Sequence, residues 1–287
     1  MLGFAERGTR RFAYGFWRHR EHDLDAAMET LAIARENGID HLDTADIYGG
    51  AFGASERLLG AIRARAPQLL KGAFIATKAG IEIGSPYNSS AAYLKSACDG
   101  SLSRLKLERI DLFYIHRPDL LTHPAELANA LDGLVAAGKI ASVGVSNFTT
   151  HQIAALSRFL KAPIRAHQLE FSAAHVDPLF DGTLDQAMER DIAVAAWSPL
   201  AGGRLGAAST SEFARVREAL KRIAEAHGAS PVAVALAFLQ QHPAPVTPIL
   251  GTTNASRLRE CLTASAVTLS RREWYAIVEA CRGFEMP

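Results

Sequence analysis

His41-Leu-Asp-Thr-Ala-Asp-Ile-Tyr48 sets Asp43 at the end of a short apolar run and Tyr48 five residues further on, just ahead of a helix-like segment. A buried carboxylate beside a phenol suggests acid–base chemistry. Three more short apolar segments follow: Ala73-Phe-Ile-Ala-Thr-Lys78, Ile110-Asp-Leu-Phe-Tyr-Ile-His116 and Ile140-Ala-Ser-Val-Gly-Val-Ser-Asn147. Each ends on a polar residue. Read as consecutive parallel strands of a (β/α)8 barrel, they bring Asp43, Tyr48, Lys78, His116 and Asn147 to one pocket, because the C-terminal strand ends of that fold share a face.

Outward from these segments the same strand–helix alternation fills the chain. Strands are expected at 12–17, 39–43, 73–77, 110–115, 141–145, 164–169, 192–196 and 246–250. Helices are expected at 23–37, 54–66, 91–106, 124–137, 150–160, 184–190, 212–227 and 231–241, with two more at 255–264 and 271–282 closing the chain. Asp23 reads as an N-cap, Gly38 as a helix-ending C′ residue, and Gly15 as a point where something approaches the backbone closely. Several strand runs are apolar on successive residues, as strands buried on both faces require, and strict alternation with helices implies a parallel sheet. The rival open sheet, in its dinucleotide-binding form, needs a GxGxxG turn after an early strand, and none occurs. No linker-like break divides the chain, so residues 1–287 read as one α/β domain, a TIM barrel with additional C-terminal helices.

Hydrophobic content of 48% and charged content of 21% are those of a globular protein with a substantial core. A net charge of +1, with its densest basic cluster in the short Arg7-Gly-Thr-Arg-Arg11, gives no footprint for nucleic acid. Cys98, Cys261 and Cys281 are far apart and lack CxxC spacing, which argues against disulfides and a zinc site. The longest apolar stretch, residues 231–239, is about half of a membrane span. A cytoplasmic protein without membrane or nucleic-acid partners is expected. Gly144-Val-Ser-Asn-Phe148 lacks the second glycine of a nucleophile elbow, HExxH is absent, and His19 and His22 have no third ligand and read as surface residues, so no metal site is expected. Taken singly, Lys78 reads as a solvated loop residue, His116 as a satisfied imidazole and Tyr48 as core, and Asp46 competes with Asp43 for any role. Their co-location at neighbouring strand ends is what points to a site.

Asp43-Thr-Ala-Asp-Ile-Tyr48, Thr77-Lys78, Ile115-His116-Arg-Pro118, Gly144-Val-Ser-Asn-Phe148, Gln168, Ala196-Trp-Ser-Pro-Leu200 and Pro248-Ile-Leu-Gly-Thr-Thr253 together resemble the aldo-keto reductase superfamily, in order and over nearly the whole chain. The resemblance implies a barrel that binds NADPH extended, without a Rossmann domain, and reduces a small aldehyde or ketone. Tyr48 would donate the proton, Lys78 would lower the phenol's pKa, Asp43 would hold the ammonium, and His116 would orient the carbonyl and stabilise the developing oxyanion.

The same resemblance assigns the nicotinamide carboxamide to Ser146, Asn147 and Gln168, and the nicotinamide ring to Trp197, for which a core tryptophan is the alternative. Ser198, Leu200, Gly202 and Arg204 would wrap the pyrophosphate. Gly251, Thr252, Thr253 and Arg257 would take the 2′-phosphate, and Glu260 the adenine amino group. A basic residue often found near Thr253 is absent, so NADH remains possible. The short segment after Lys78 and the short chain end after Arg282 imply an open substrate pocket, flanked by Phe16, Trp17, Phe52 and Tyr87. A monomer or weak oligomer is expected. The rival function is a redox sensor or regulatory subunit that binds the cofactor with little turnover.

Overall fold

Eight parallel strands close on themselves in chain order, with β1 (Ala13–Gly15) hydrogen-bonded to both β2 (His41–Asp43) and β8 (Val246–Leu250). This computed structural model describes residues 12–206 and 211–287, so the basic cluster at residues 7–11 lies outside it. The ring continues through β3 (Phe74–Ala79), β4 (Leu112–Ile115), β5 (Val143–Ser146), β6 (Ile164–Glu170) and β7 (Ala193–Trp197). Between strands run α1 (Leu24–Glu36), α2 (Ala54–Arg65), α3 (Ala91–Leu105), α4 (Pro124–Ala136), α5 (Thr150–Ser157), α6 (Thr183–Glu189), α7 (Ala214–His227) and α8 (Pro231–Gln240). Two more, α9 (Ala255–Leu262) and α10 (Arg271–Arg282), follow the last strand. The expected barrel with extra C-terminal helices is the one observed.

Every residue of β1, β2, β4, β5 and β8 is buried, which is why these segments read as unbroken apolar runs rather than alternating ones. Differences fall at the element ends. Ile110 forms only an isolated bridge to Ile140, and on the other side of the strand the Asp111 carboxylate accepts from the Ile75 amide at 2.8 Å. Asp23 stands at the N-cap of α1, but its carboxylate accepts from the Arg20 amide at 3.0 Å and leaves the helix amides uncapped. By contrast α8 starts at the expected residue, Pro231, and the Ser230 hydroxyl caps it by accepting from the Ala233 amide.

Two glycines set how closely strands approach. A Cβ on Gly144 would stand 2.5 Å from Cδ1 of the fully buried Tyr114 on the neighbouring strand, so β5 must be bare there for that ring to fit. A Cβ on Gly15 would meet Ile249 Cγ2 at 2.8 Å, which is the close approach expected where the barrel shuts. Among the described residues no helix is long and apolar enough to cross a membrane.

Candidate active site

Asp43 is the last residue of β2, Lys78 lies one residue from the end of β3, and His116 follows β4 directly, so the parallel register alone brings the three to one rim. Lys78 is fully buried, which rules out a solvated loop residue. Its Nζ donates to Asp43 Oδ1 at 2.9 Å, to Asp43 Oδ2 at 2.8 Å and to the Thr44 carbonyl at 2.8 Å. An ammonium has three donors, and all three are used. Burial works against the charge, but the Asp43 carboxylate and Tyr48 outweigh it, and the amine's pKa ends above the usual lysine value. Asp43 also accepts from Gln168 Nε2 at 2.7 Å, so this carboxylate is held from β3 and β6 at once.

Tyr48 lies above the pair, with the Lys78 ammonium 4.7 Å from its ring centroid and the phenol oxygen 3.5 Å from His116 Nε2. The expected lowering of the phenol's pKa needs correction. Burial pushes it up, the Lys78 charge pulls it down, and burial prevails, so the group ends above 10.0 and carries its proton at neutral pH. His116 goes the other way: burial, with the positive charges of Lys78 and Arg117, takes its pKa well below 6.5 and keeps the imidazole neutral. A neutral imidazole retains one N–H to donate.

The loop that carries Tyr48 is braced from below. Ser55, in the first turn of α2, donates its amide to the Tyr48 carbonyl at 3.1 Å, and its hydroxyl lies 2.7 Å from that of Thr44. The next residue, the fully buried Glu56, accepts from Thr77 Oγ1 at 2.6 Å and pairs with Arg104 Nε of α3 at 2.6 Å. Asp46 is no rival to Asp43. Its side chain is fully buried, no side chain among the described residues pairs with its carboxyl oxygens, and burial together with the Glu56 charge raises its pKa to about 8.

A cavity of about 660 Å³ opens over these groups and runs along the strand ends. Tyr48, His116, Ser146, Asn147, Gln168 and Trp197 line its inner part. Ser198, Leu200, Gly202, Gly251, Thr252, Thr253, Arg257 and Glu260 line the rest, and Trp17 stands at the edge. Asn147 and Ser198, just past β5 and on the wall after β7, hold the left-handed backbone at φ 58° and 49°. Such backbone in residues other than glycine is uncommon and concentrates at functional sites. The Trp197 indole donates to Asn147 Oδ1 at 2.9 Å, which fixes the tryptophan as part of the wall and not the core.

Four expected residues are elsewhere. Phe16 is fully buried, packed against Tyr14 and His19, because the chain turns inward after β1. Phe52 lies outside the cavity under the Arg104 guanidinium, and Tyr87 is exposed away from it. Arg204 turns from the cavity to bind both oxygens of Glu212, at 2.8 and 2.9 Å. His19 is not a surface residue either. It is buried with Nε2 2.8 Å from the Tyr14 hydroxyl, and burial lowers its pKa to about 4.

Sequence reasoning also missed two cations on the cavity wall, Arg18 and Arg117. Arg18 donates to the carbonyls of Gly251 and Gly202, both at 3.2 Å, across the cleft. That contact depends on barrel closure and leaves no local signal. Arg117 is different: it sits directly after His116 at a strand end, and that position was a legible signal. Among the described residues no cluster of three or more His, Cys, Asp or Glu side chains could hold a metal.

A closed parallel barrel whose strand C-termini gather a carboxylate, an ammonium, a phenol and an imidazole beside a long cleft defines an enzyme of the barrel class. The chain belongs to the Aldo/keto reductase family, whose model matches residues 8–282. It is 43% identical to a 6-dehydroglucose reductase of Novosphingobium aromaticivorans, over all of this chain and 96% of that one. A 6-dehydroglucose reductase of Agrobacterium fabrum is 34% identical, over 96% of this chain and 95% of its own. Among solved structures, a thermostable aldo-keto reductase, Tm1743, in complex with the inhibitor epalrestat, superimposes with a TM-score of 0.83 at 26% identity, covering 98% of each chain. The protein is therefore an oxidoreductase acting on carbonyl or alcohol groups, in a family that uses nicotinamide cofactors.

Proposed function

We propose that this enzyme reduces an aldehyde to the alcohol with NADPH as reductant and Tyr48 as the proton donor, and that its substrate is a sugar aldehyde. The observation that carries the reading is the buried Lys78–Asp43 pair directly beneath Tyr48, with His116 at 3.5 Å from the phenol. Tyr48 holds its proton at neutral pH, as a general acid must. Lys78 stabilises the phenolate left behind, and Asp43 keeps the ammonium charged and in place. Neutral His116 donates its N–H to the carbonyl oxygen and stabilises the negative charge that grows there. Bound NADPH supplies the hydride, from nicotinamide C4.

The cleft suits that group. Gly202 and Gly251 leave bare backbone on its wall, and the Arg257 guanidinium there has no ion-pair partner among the described residues, as a site for a 2′-phosphate requires. Ser146, Asn147 and Gln168 would hold the carboxamide and Trp197 the ring. The sugar aldehyde rests on the two relatives named 6-dehydroglucose reductase. A complete acid–base set weighs against the sensor reading, since a pure binding protein has no use for it.

Tyr48→Phe tests the assignment. Turnover of aldehyde should fall below about a thousandth of wild type while NADPH affinity, read by fluorescence titration, changes less than about threefold. A Tyr48→Phe enzyme with full activity would remove Tyr48 from the mechanism.

A further inference from the structure

Arg117, Asn147 and Trp197 line the active-site cleft on one side and a second cavity of about 590 Å³ on the other. The wall beside the catalytic groups is therefore one layer of side chains thick, with open space on both faces. Such a wall is held less by packing than by its own bonds.

Those bonds are few and specific. The Trp197 indole, at the end of β7, donates to Asn147 Oδ1 at 2.9 Å, and Arg117 lies 5.8 Å from the centroid of its ring. Asn147 passes the connection on. Its Nδ2 donates to Ser146 Oγ at 2.7 Å and to the His116 carbonyl at 3.3 Å. Both N–H groups of the amide are thus used within the protein, and its oxygen keeps at most one lone pair for the cleft. The bonds at both ends of that amide also keep Asn147 in its left-handed backbone, at φ 58°.

The chain of bonds ends on a catalytic group. Since β4 stops at Ile115, the His116 carbonyl lies past the ladder and accepts from the Asn147 side chain instead of a strand amide. The His116 amide donates to the Ala79 carbonyl at 2.8 Å. The imidazole has only weak anchors of its own: Nδ1 is buried with no partner among the described residues, and Nε2 is 3.5 Å from the Tyr48 hydroxyl. Catalytic imidazoles are commonly aimed by a hydrogen bond to the second ring nitrogen, and this one lacks it. Its direction depends instead on the main chain that carries it.

We infer that Trp197 is a positioning residue for His116: its indole N–H, acting through the Asn147 amide, fixes the main chain past the end of β4 and so aims the imidazole at the substrate's carbonyl oxygen. This role is separate from contact between the indole ring and the nicotinamide. It rests on the carbonyl-reductase reading and adds to it the element that keeps the oxyanion donor in place.

Trp197→Phe separates the two roles, because phenylalanine keeps an aromatic face and has no N–H. Single-turnover oxidation of NADPH with glyceraldehyde, the simplest sugar aldehyde, should slow about tenfold, while the NADPH Kd, read by fluorescence titration, stays within about threefold. Asn147→Gly removes the strut without straining the backbone, since glycine tolerates positive φ, and should slow the same step by about as much. The double variant should be slower than Asn147→Gly by no more than about twofold, as two links of one chain require. Losses that multiply in the double variant would overturn the route through Asn147. So would a Trp197→Phe enzyme with an unchanged rate and weaker NADPH binding, which would leave the indole with the ring contact alone.

The cofactor-free protein gives a readout that needs no turnover. In its NMR spectrum the His116 ring carbons of the wild type should keep neutral-imidazole shifts at pH 6.5 and above, because burial and the charges of Lys78 and Arg117 hold the proton off. In Trp197→Phe and Asn147→Gly, a ring no longer held in place should give shifted or broadened signals. Ring signals identical in all three proteins would overturn the proposal. A wild type that reduces no glyceraldehyde would count against the reductase reading instead, and the ring signals would still decide the strut.

Discussion

Tyr48, Lys78 and His116 each carry a pKa moved away from neutrality, and the three displacements agree in their effect. Tyr48 rises above 10.0, Lys78 above 10.5, and His116 falls below 6.5, so none of the three changes its protonation between pH 6.5 and 10. The rate of carbonyl reduction with saturating cofactor should therefore be flat across that range. A pH profile of kcat with a step near pH 7 would contradict the neutral His116. In the proposed mechanism alcohol oxidation needs Tyr48 as the phenolate, and it should then keep rising above pH 10. Asp46 behaves differently. A free aspartic acid titrates near 3.8 and this one near 8, so between those values the folded state holds a proton that the unfolded chain releases. Stability then falls as pH rises through that window, by up to about 1.4 kcal/mol per unit, and levels out above it. Asp46→Asn should flatten the dependence, which urea melts at pH 5 and pH 8 would measure.

At the scale of elements, the site depends on how the loop between β2 and α2 is held. Glu56 ties the start of α2 to Thr77 on β3 and to Arg104 on α3, and Ser55 beside it holds the Tyr48 carbonyl. Glu56→Gln would leave the Arg104 guanidinium without its carboxylate and cost about 3–5 kcal/mol, as breaking one side of a buried ion pair does. Because the phenol is then less well placed, kcat should fall several-fold with little change in KM. Steady-state kinetics beside a denaturation curve would check both. The importance of Glu56 was not legible in the sequence. A glutamate in the first turn of a helix looks like a common dipole partner, and only the packing of α2 against α3 reveals its target.

For the whole molecule, the cleft runs from β4 round to α9, and a dinucleotide there would fasten together strand ends and helices far apart in the chain. NADPH at 100 times its Kd should add about 2.7 kcal/mol of stability and raise Tm by roughly 4–5 °C in a thermal scan. NADH at the same concentration should raise it less, if Arg257 holds the 2′-phosphate. Strand order and the Asp43–Lys78–His116 rim were readable because parallel strands buried on both faces leave unbroken apolar runs, and the polar residue ending each run must lie on a common face. Phe16, Phe52 and Tyr87 were misplaced for a complementary reason. Where an aromatic in a connecting segment points depends on contacts with remote parts of the chain, such as Arg104 for Phe52, that no local pattern encodes.

The three-point grip on the Lys78 ammonium has one more consequence. An enzyme whose working day is spent among electrophilic carbonyls carries a primary amine at its heart, and free amines condense with aldehydes to imines. Buried out of reach, with its pKa raised so that a proton takes up the nitrogen lone pair at neutral pH, this amine is no nucleophile. The grip that sets the ammonium beneath Tyr48 also keeps that amine from condensing with an aldehyde.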